Sequence, residues 1–313
     1  MREIVVCGEA LVDVVAAQAA VEPGRLAPLQ PALGGGPFNV AITLGRLGSA
    51  VSFCSAVSRD TYGEAIIAAL QASGAGIGLV QRRTEPTSLA LATIAPDGAA
   101  QYSFYVEGTA DRAVEDPGTF APTVAAVTFG TLSMVLEPGA TVYEAVLRRS
   151  HREGRLVIVD PNIRAAVIDD ADAYRRRFAS WTTDVDVVKL SDEDADWLDS
   201  GPDATSAADW LASGVSAVIT TSGAEGISVR TAAGTVSAPA PEITVVDTIG
   251  AGDSVLGGVI HRLDRIGALS RAAVAQLTVD DWRGVAEYAA QVAAITVSRP
   301  GADPPWASEL RND

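Results

Sequence analysis

The strongest chemical signal in the sequence is the glycine-rich segment at residues 245–254, VVDTIGAGDS. A short β-branched run leads into Gly250, Ala251 and Gly252, and an apolar pattern with helical spacing follows. Small residues at a helix start let the backbone approach a ligand closely, and the free N–H groups there attract negative charge. The segment therefore predicts an anion hole that could hold a phosphoryl group during its transfer.

Asp253 is the side chain of this segment that could act on a substrate. It falls in the first turn of the predicted helix, where the dipole keeps a carboxylate ionised and able to accept a proton from an attacking hydroxyl. A carboxylate suffices as the base because phosphoryl transfer is loose and the proton can leave late. The alternative is that Asp253 only stabilises its helix, and this segment alone does not decide between the two.

A second glycine cluster lies near the start of the chain, at residues 33–39, LGGGPFN. Pro37 suits the first turn of a helix, and Asn39 places a hydrogen-bond donor and an acceptor close to Gly34 and Gly35. Successive glycines with an amide behind them suit the close approach of a polyhydroxylated ligand, although a tight turn between a strand and a helix would also use them. Together, the two clusters favour a binding site over a purely structural turn.

The elements that position these clusters alternate along the chain. Apolar β-branched runs separated by Ala- and Leu-rich helical stretches indicate βαβ units. The predicted fold class is therefore α/β, with a doubly wound, mostly parallel sheet covered by helices on both faces. The predicted strands are 4–7, 51–56, 125–129, 156–160, 185–190 and 217–221, and the predicted helices are 39–47, 63–72, 141–149 and 207–212.

Two stretches, at about residues 11–33 and 87–109, interrupt this alternation because neither carries a convincing helical pattern. The second contains a hairpin signal, Pro-Asp-Gly at residues 96–98, between two β-rich runs. We interpret the two stretches as a discontinuous β-sheet lid on a single domain that spans residues 1–313. The exposed strands of such a lid need cover, so we also expect two lids to pair in a homodimer.

Composition limits the classes of partner. The formal net charge of −16 argues against nucleic-acid binding, which needs a basic face. No apolar run reaches the roughly 18 to 20 residues of a membrane span, and the N-terminal residues lack a secretory-signal pattern, so we expect a cytoplasmic protein. Cys7 and Cys54 lack the spacing of a zinc site or a disulfide framework and are interpreted as buried thiols.

The segments at residues 34–48, GGGPFNVAITLGRLG, and 247–258, DTIGAGDSVLGG, resemble the two signatures of the ribokinase-like (PfkB-type) carbohydrate kinase family. The resemblance extends over essentially the whole chain. It implies a ribokinase-like fold and ATP-dependent phosphorylation of a sugar hydroxyl, with Asp253 as the catalytic base next to the anion hole.

The same resemblance implies the sugar-binding residues. It assigns Asp13, near the end of the opening strand, and the glycines and amide of the second cluster to the sugar hydroxyls. Residues 160–164, DPNIR, resemble the D-x-N-x-R of the family. Arg164 would then face the sugar or the transferring phosphoryl group, where a guanidinium suits the oxygens; a surface ion pair is the alternative.

On the nucleotide side, residues 221–226, TSGAEG, resemble the T-x-G-x-x-G of the family, which implies that Thr221, Gly223 and Gly226 line ATP beside Gly252. Lys189 is the one lysine of the sequence. The family often carries a lysine at this strand, so Lys189 is expected in the nucleotide site. The alternative is that this lysine has no role in the site and remains by chance in an arginine-rich chain.

The resemblance also implies metal sites. The N-x-x-E motif, which acts on Mg²⁺ and phosphate, appears here with Ser191 in place of Asn and Asp194 in place of Glu. Asp194 would reach Mg²⁺ through water, and Glu193 could substitute for it. Asp247 and Ile249 match the position where many members bind a monovalent cation, so the implied cofactors are ATP, Mg²⁺ and, where that position is used, K⁺.

Within the family, the opening GEALVD at residues 8–13 and the lid segment at 104–112 resemble fructokinases. This makes fructose the expected acceptor and Tyr105 an expected sugar contact. Relatives that act on 2-keto-3-deoxygluconate usually carry an arginine in this lid strand, where the chain has Val106. A buried carboxylate without its cation costs on the order of several kcal/mol, so a neutral sugar fits better.

Several alternatives to a fructokinase remain. The acceptor could be another neutral compound, such as ribose, tagatose, a nucleoside or an inositol-type polyol, or it could be 2-keto-3-deoxygluconate. A sugar-binding regulator without catalysis is the non-enzyme alternative, and it would be expected to have lost the base or the anion-hole glycines. A dinucleotide-dependent dehydrogenase and a P-loop kinase are disfavoured, because no G-x-G-x-x-G follows the first strand and no G-x-x-x-x-G-K-[ST] string occurs.

Overall fold

The protein is described from a computed structural model that covers residues 2–16, 28–94 and 100–310. The predicted hairpin at 96–98 and the middle of the first lid stretch, residues 17–27, lie outside the described residues. The strands are β1 Glu3–Cys7, β2 Leu11–Ala16, β3 Leu29–Gly34, β4 Val51–Ser58, β5 Gly76–Arg83, β6 Leu89–Ile94, β7 Ala100–Tyr105, β8 Val124–Gly130, β9 Leu156–Asp160, β10 Val187–Ser191, β11 Ala217–Thr221, β12 Ile227–Thr231 and β13 Gly234–Ala238. The helices are α1 Gly36–Arg46, α2 Thr61–Ala72, α3 Gly139–Arg152, α4 Ala171–Trp181, α5 Asp192–Leu198, α6 Ala207–Ser213, α7 Ala251–Arg265, α8 Arg271–Val274 and α9 Val279–Val297.

The main sheet has nine strands within the described residues, in the order β13-β12-β11-β10-β9-β8-β1-β4-β5. The pairs from β11 to β5 are parallel, whereas β12 and β13 add an antiparallel hairpin at one edge. The chain runs outward from β1 in both directions, through β4 and β5 on one side and through β8 to β11 on the other. This reversal creates a crevice at the carboxyl ends of β1 and β8, where open α/β sheets place their ligands.

Helices cover both faces of this sheet. Side chains alternate between the two faces along each strand, so Ile4 and Val6 of β1 join one apolar core while Val5 and Cys7 join the other. The first core packs under α1, α2, α7 and α9, and the second packs under α3, α4 and α6. Burial on both faces explains the continuous apolar strands, and the predicted α/β, doubly wound fold class is confirmed.

A separate four-stranded sheet, hereafter the lid sheet, has the order β3-β2-β6-β7. Its strands fall in the two stretches that the sequence predicted to be β-rich and without helix. The register aligns Asp13 of β2 with Ala90 of β6 and with Phe104 of β7, so these three side chains share one face. This face looks toward the cavity described below.

The predicted elements recur with small changes at their ends. The helix predicted at 39–47 begins three residues earlier, at Gly36, because Pro37 occupies its first turn. Strands β5, β12 and β13 were not predicted. None of the helices within the described ranges is long and apolar enough to cross a membrane.

Candidate active site

The glycine-rich segment before α7 forms a left-handed turn. Gly250 has φ 74°, and a Cβ added there would lie 2.6 Å from the Cβ of Ala302, so the turn requires glycine. The helix begins at Ala251, and Asp253 lies in its first turn with 8% of its surface exposed. The N–H groups of a first helical turn have no intrahelical acceptor, so this end of α7 can attract an anion.

The second glycine cluster lies against the same carboxylate. Asn39 Nδ2 donates a hydrogen bond of 2.8 Å to Asp253 Oδ2. A Cβ at Gly36 would lie 3.2 Å from Asp253 Oδ1, and a Cβ at Gly35, where φ is 105°, would lie 2.9 Å from the carbonyl oxygen of Glu9. The structure thus brings the two glycine segments together around Asp253, and their glycines are needed for this close approach.

A cavity of about 470 Å³ opens beside Asp253, within the size range of small-ligand sites. One side is the lid sheet, another is the second glycine cluster, a third is the loop after β9, and the last is the start of α7. The lining residues include Asp13, Ala90, Ala92, Tyr102 and Phe104 from the lid sheet, Gly35, Gly36 and Asn39 from the cluster, Asn162 and Arg164 from the loop, and Thr248 to Asp253.

The cavity is lined by more carboxyl groups than cations. Glu9, Asp13 and Asp253 line it, and Arg164 is the one lysine or arginine among its described lining residues. Burial raises the pKa of Asp13 to about 6; the charge of Asp253 adds to the rise and that of Arg164 opposes it. Burial also raises the pKa of Asp253, while the Asn39 hydrogen bond and the charges of Lys189 and Arg164 oppose the rise.

Arg164 belongs to a loop that bends sharply after β9. Asn162 takes a left-handed conformation with φ 39°, and its side-chain oxygen accepts a hydrogen bond of 2.7 Å from Arg164 Nη1. The guanidinium is exposed at the cavity, and its charge acts on Asp13 and Asp253, because it opposes the rise in the pKa of both carboxyl groups. Asn162 lines the same cavity and was not predicted as a site residue.

Lys189 lies in the middle of β10 and is buried in an ion pair. Its Nζ donates to Asp160 Oδ2 over 2.7 Å, and both side chains are about 95% buried. A Cβ at Gly252 would lie 2.8 Å from Lys189 Nζ, so the ammonium group packs directly against the start of α7. Burial raises the pKa of Asp160 to about 6 and Lys189 opposes the rise. The structure therefore places the lysine beneath the start of α7, paired with a carboxylate.

Ser191 and Asp194 form the N-terminal capping box of α5. Ser191 Oγ accepts a hydrogen bond from Asp194 N–H, and Asp194 Oδ2 accepts one from Ser191 N–H. Asp194 Oδ1 accepts a further bond of 2.9 Å from Ile163 N–H in the loop after β9. This carboxylate thus ties α5 to the loop that carries Arg164. Glu193 is exposed, and no group of three or more metal-ligating side chains occurs in the described part of the chain.

Three of the residues assigned to ATP lie beside β10, at the end of β11 and in the turn between β11 and β12. Thr221 ends β11, and Gly223 and Gly226 have φ of 48° and 100° in the turn that follows. A Cβ at Gly226 would lie 2.2 Å from the carbonyl oxygen of Ala238, so this turn also requires glycine. None of the three lines the cavity at Asp253 within the described structure, which leaves their end of the sheet for a second ligand.

Asp247 stabilises the loop that leads to the anion hole. Its Oδ1 accepts a hydrogen bond of 3.0 Å from Ile249 N–H, and its Oδ2 accepts one of 2.8 Å from Gly301 N–H. Ile249 itself lines the cavity. The two residues predicted at the cation position thus lie side by side, and backbone N–H groups bind both carboxylate oxygens.

The structure changes two lid assignments. Tyr105, predicted as a sugar contact, is 61% exposed and lies one register position from Phe104, so its side chain points to the face of the lid sheet away from the cavity. Phe104 and Tyr102 occupy the cavity face and stack on each other with ring centroids 6.1 Å apart. Val106 also lies outside the cavity lining, so the absence of an arginine at this position does not indicate whether the acceptor is charged.

Comparisons with known proteins agree with this geometry. The pfkB family carbohydrate kinase model matches residues 1–309. A fructokinase from Rhizobium leguminosarum bv. trifolii is 36% identical over 88% of this chain and 83% of its own length, and fructokinase-1 from Zea mays is 29% identical over 84% and 83%. The structure of a fructokinase with bound ATP from Xylella fastidiosa superposes with a TM-score of 0.86 at 26% identity, covering 96% of this chain and 93% of that one.

The chain belongs to the pfkB family of carbohydrate kinases. The expected family is therefore confirmed, and the protein is an enzyme that phosphorylates a carbohydrate.

Proposed function

We propose that this protein is a fructokinase that transfers the γ-phosphoryl group of ATP to D-fructose and forms fructose 6-phosphate. The observation that carries the proposal is the hydrogen bond between Asn39 and Asp253, which fixes a buried carboxylate at the start of α7 and beside a cavity closed by the lid sheet. The similarity to fructokinases of bacteria and plants supports fructose as the acceptor.

In the proposed reaction, the sugar hydroxyl attacks the γ-phosphorus while the bond from that phosphorus to the β-γ bridging oxygen breaks and ADP leaves. The hydroxyl proton passes to Asp253, whose raised pKa makes it a better acceptor than an exposed aspartate. The backbone N–H groups of Gly250 and Gly252 stabilise the charge on the transferring group. Ala251 N–H donates to the Thr248 carbonyl oxygen over 3.3 Å in this structure and would have to leave that bond to join them. Arg164 adds a guanidinium at the edge of the cavity.

The acceptor is held by the groups that surround the cavity. Asp13 on the lid sheet accepts hydrogen bonds from the sugar hydroxyls, and Asn39 beside Gly35 can donate or accept them. Gly34 is not among the described lining residues and supports the site by packing against the carboxyl group of Asp13. Phe104 replaces Tyr105 as the aromatic contact. These groups fix one hydroxyl next to Asp253, and this positioning supplies much of the acceleration.

The charges that line the cavity favour a neutral acceptor. Asp13 and Asp253 bring two carboxyl groups to the cavity against the one guanidinium of Arg164, whereas the carboxyl group of Glu9 is directed to the turn after β8. An acidic sugar would therefore meet like charge at the lid. A sugar acid such as 2-keto-3-deoxygluconate would compete with the transferring phosphoryl group for Arg164. These lining charges, rather than Val106, therefore disfavour a sugar acid.

ATP is proposed to lie along the carboxyl ends of β10 and β11, with its phosphates at the start of α7. In the turn after Thr221, a Cβ at Gly223 would meet nothing within 4 Å, so the backbone there is open to a ligand, whereas Gly226 packs against the Ala238 carbonyl oxygen. Ser191 ends the neighbouring strand. Lys189 is proposed to act from beneath, through Gly252, because its ammonium group is already paired with Asp160.

Bound Mg²⁺ would neutralise phosphate charge, and Asp194 fits a contact through water, since backbone N–H groups already occupy one lone pair on each of its oxygens. Asp247 and the carbonyl group of Ile249 are proposed for a monovalent cation such as K⁺.

Further proposals are that the chain acts as a single kinase domain with the lid sheet as its cover, that two copies pair through their lids, and that the enzyme works in the cytoplasm.

An ADP-release assay over a panel of ketoses, aldoses, sugar acids and nucleosides tests the proposed acceptor. We expect D-fructose to give the highest kcat/KM, and product analysis to locate the phosphate at carbon 6. A higher kcat/KM for a sugar acid or a nucleoside would overturn the proposal while leaving the family membership intact. The Asp253→Asn variant serves as the control for ATP hydrolysis that does not depend on the site.

A further inference from the structure

The carboxyl group of Glu9 has no part in the reaction described above, although Glu9 lies beside the acceptor cavity. Glu9 follows β1, is 2% exposed and is among the cavity lining residues. Its side chain is directed to the turn after β8. Thr131 Oγ1 donates a hydrogen bond to Glu9 Oε1, and Ser133 N–H donates one of 3.0 Å to Glu9 Oε2. Because a buried carboxyl group is costly unless it is hydrogen-bonded, these two contacts fix its position.

The turn at Thr131–Met134 combines a local hydrogen bond of 2.6 Å, from Ser133 Oγ to the Gly130 carbonyl oxygen, with the contacts that it receives from Glu9. Thr131 has φ 57°, a left-handed conformation that is unusual and strained for a β-branched residue. The hydroxyl group of the same residue is the one that binds Glu9, so the hydrogen bond favours the strained conformation. Thr131 Cγ2 lies 2.7 Å from the position that a Cβ would take at Gly36. The turn therefore packs directly on the second glycine cluster.

The next residue of the turn contacts the lid sheet. Leu132 is 3% exposed and forms a small apolar cluster with Leu11 of β2 and Ala90 of β6, against which Phe104 of β7 packs. These three strands carry the lid residues that line the cavity. A continuous series of contacts thus runs from the carboxyl group of Glu9 through the turn to the underside of the lid sheet.

The surroundings of Glu9 favour its protonated form. Burial raises the pKa of Glu9 to about 7, the charge of Asp111 adds to the rise, and the hydrogen bonds from Thr131 and Ser133 oppose it. The hydroxyl group of Tyr143 and the thiols of Cys7 and Cys54 are the other titratable groups that face this region. A protonated carboxyl group can donate to the Thr131 hydroxyl and still accept from Ser133 N–H.

We propose that Glu9 is a positioning residue for the acceptor sugar: its carboxyl group holds the Thr131–Met134 turn against the glycine cluster and so sets the position of the lid sheet over the cavity. This inference rests on the proposed function, because it assigns the cavity to a sugar. It makes Glu9 a determinant of acceptor affinity, whereas Asp253 and the anion hole determine turnover.

Kinetics of Glu9→Gln and Glu9→Ala, measured on the sugar that the wild-type enzyme uses best, provide the test. Gln copies the protonated acid, since its amide can donate to Thr131 Oγ1 and accept from Ser133 N–H, so its sugar KM stays within about twofold of wild type. Ala removes both contacts and raises the sugar KM by about tenfold or more, while kcat and the KM for ATP change by less than about threefold, as expected for lost substrate binding.

Thr131→Ser and Thr131→Val examine the same hydrogen bond from its other end and keep the test decisive if Glu9→Ala fails to fold. Ser retains the hydroxyl group and the wild-type sugar KM, whereas Val loses the hydroxyl group and raises the sugar KM as Glu9→Ala does. The Glu9→Ala/Thr131→Val double variant is no worse than Glu9→Ala alone, because Glu9→Ala already removes the contact that Thr131→Val removes.

Sugar KM values unchanged in Glu9→Ala and Thr131→Val, with only the melting temperature lowered, would overturn the inference and leave the proposed function standing. A wild-type enzyme that releases no ADP with any sugar would overturn the proposed function and the inference with it. The two failures are therefore distinguishable from the wild-type rate alone.

Discussion

Asn39 Nδ2 and Asp253 Oδ2 are joined by a buried hydrogen bond of 2.8 Å across 214 residues of sequence. This bond links the start of α1 to the start of α7 and orients the carboxylate that we propose as the base. It also opposes the effect of burial on the pKa of Asp253. Asn39 therefore contributes both to the geometry of the site and to the pH at which the base is ionised.

Replacing Asn39 by Ala should move the acid limb of the pH–kcat/KM profile to higher pH. Without the hydrogen bond, burial raises the pKa of Asp253 further, so a higher pH is needed to ionise the base. The profile is measured with saturating ATP from pH 5 to about 9. An acid limb that stays in place or moves to lower pH would show that Asp253 does not set it.

Asp13 should make sugar binding depend on pH near 6. Its pKa is raised to about 6, so the carboxylate is lost as the pH falls below this value, and the sugar KM should then rise. Asp13→Asn should raise the sugar KM at pH 8 by about tenfold, the order expected for one lost charged hydrogen bond, and should flatten its dependence on pH. A sugar KM that depends on pH equally in both proteins would assign the effect to another group.

The contributions of the Lys189–Asp160 ion pair to the free energy of unfolding and to kcat can be measured separately. Lys189→Met leaves a buried carboxylate unpaired and should lower the free energy of unfolding by about 3 to 5 kcal/mol. The Lys189→Met/Asp160→Asn double variant should recover most of this stability, because neither side chain is charged. Its kcat should nevertheless stay at least about tenfold below wild type, since the positive charge beneath Gly252 is gone.

Denaturant unfolding and steady-state kinetics on the same preparations measure both effects. If the double variant regains wild-type kcat together with its stability, the pair is purely structural and Lys189 has no effect on the anion hole.

A side chain at Gly252 should disturb the buried ammonium group of Lys189. A Cβ at Gly252 would lie 2.8 Å from Lys189 Nζ, so Gly252→Ala should displace the ammonium group or the start of α7 and lower kcat by about tenfold or more. The matched control is Gly284→Ala in α9, where a Cβ would meet nothing within 4 Å. That variant should keep wild-type kcat and gain about 0.5 to 1 kcal/mol of stability. Equal kinetics in the two variants would count against a close approach at Gly252.

Much of the architecture could be predicted from the sequence. The apolar strands, the two glycine clusters and the β-rich stretches of the lid have local patterns, and their predicted order places the clusters at the same end of a parallel sheet. The side of a strand on which a residue lies is harder to predict. Tyr105 and Phe104 are adjacent in sequence, and only the register of β7 against β6 shows that Phe104 faces the cavity.

Contacts between distant segments could not be predicted. Lys189 pairs with Asp160 because β9 and β10 are neighbours in the sheet. No local sequence pattern indicates which strands are neighbours, so this ion pair could not be predicted. The Ser191–Asp194 pair did carry a local signal, since Ser-x-x-Asp before a helix is the pattern of a capping box. Glu9 and Thr131 meet across 122 residues, and nothing near either of them in the sequence indicates the other.

The most direct test of the central claim compares Asp253→Asn with wild type in binding and in turnover. Asn keeps the size of the side chain and its contact with Asn39, so sugar and ATP should bind with affinities within a few-fold of wild type by calorimetry. The kcat should fall by about 10² to 10⁴, the usual contribution of a general base. A variant that binds both substrates and retains wild-type kcat would contradict the assignment of Asp253 as the base.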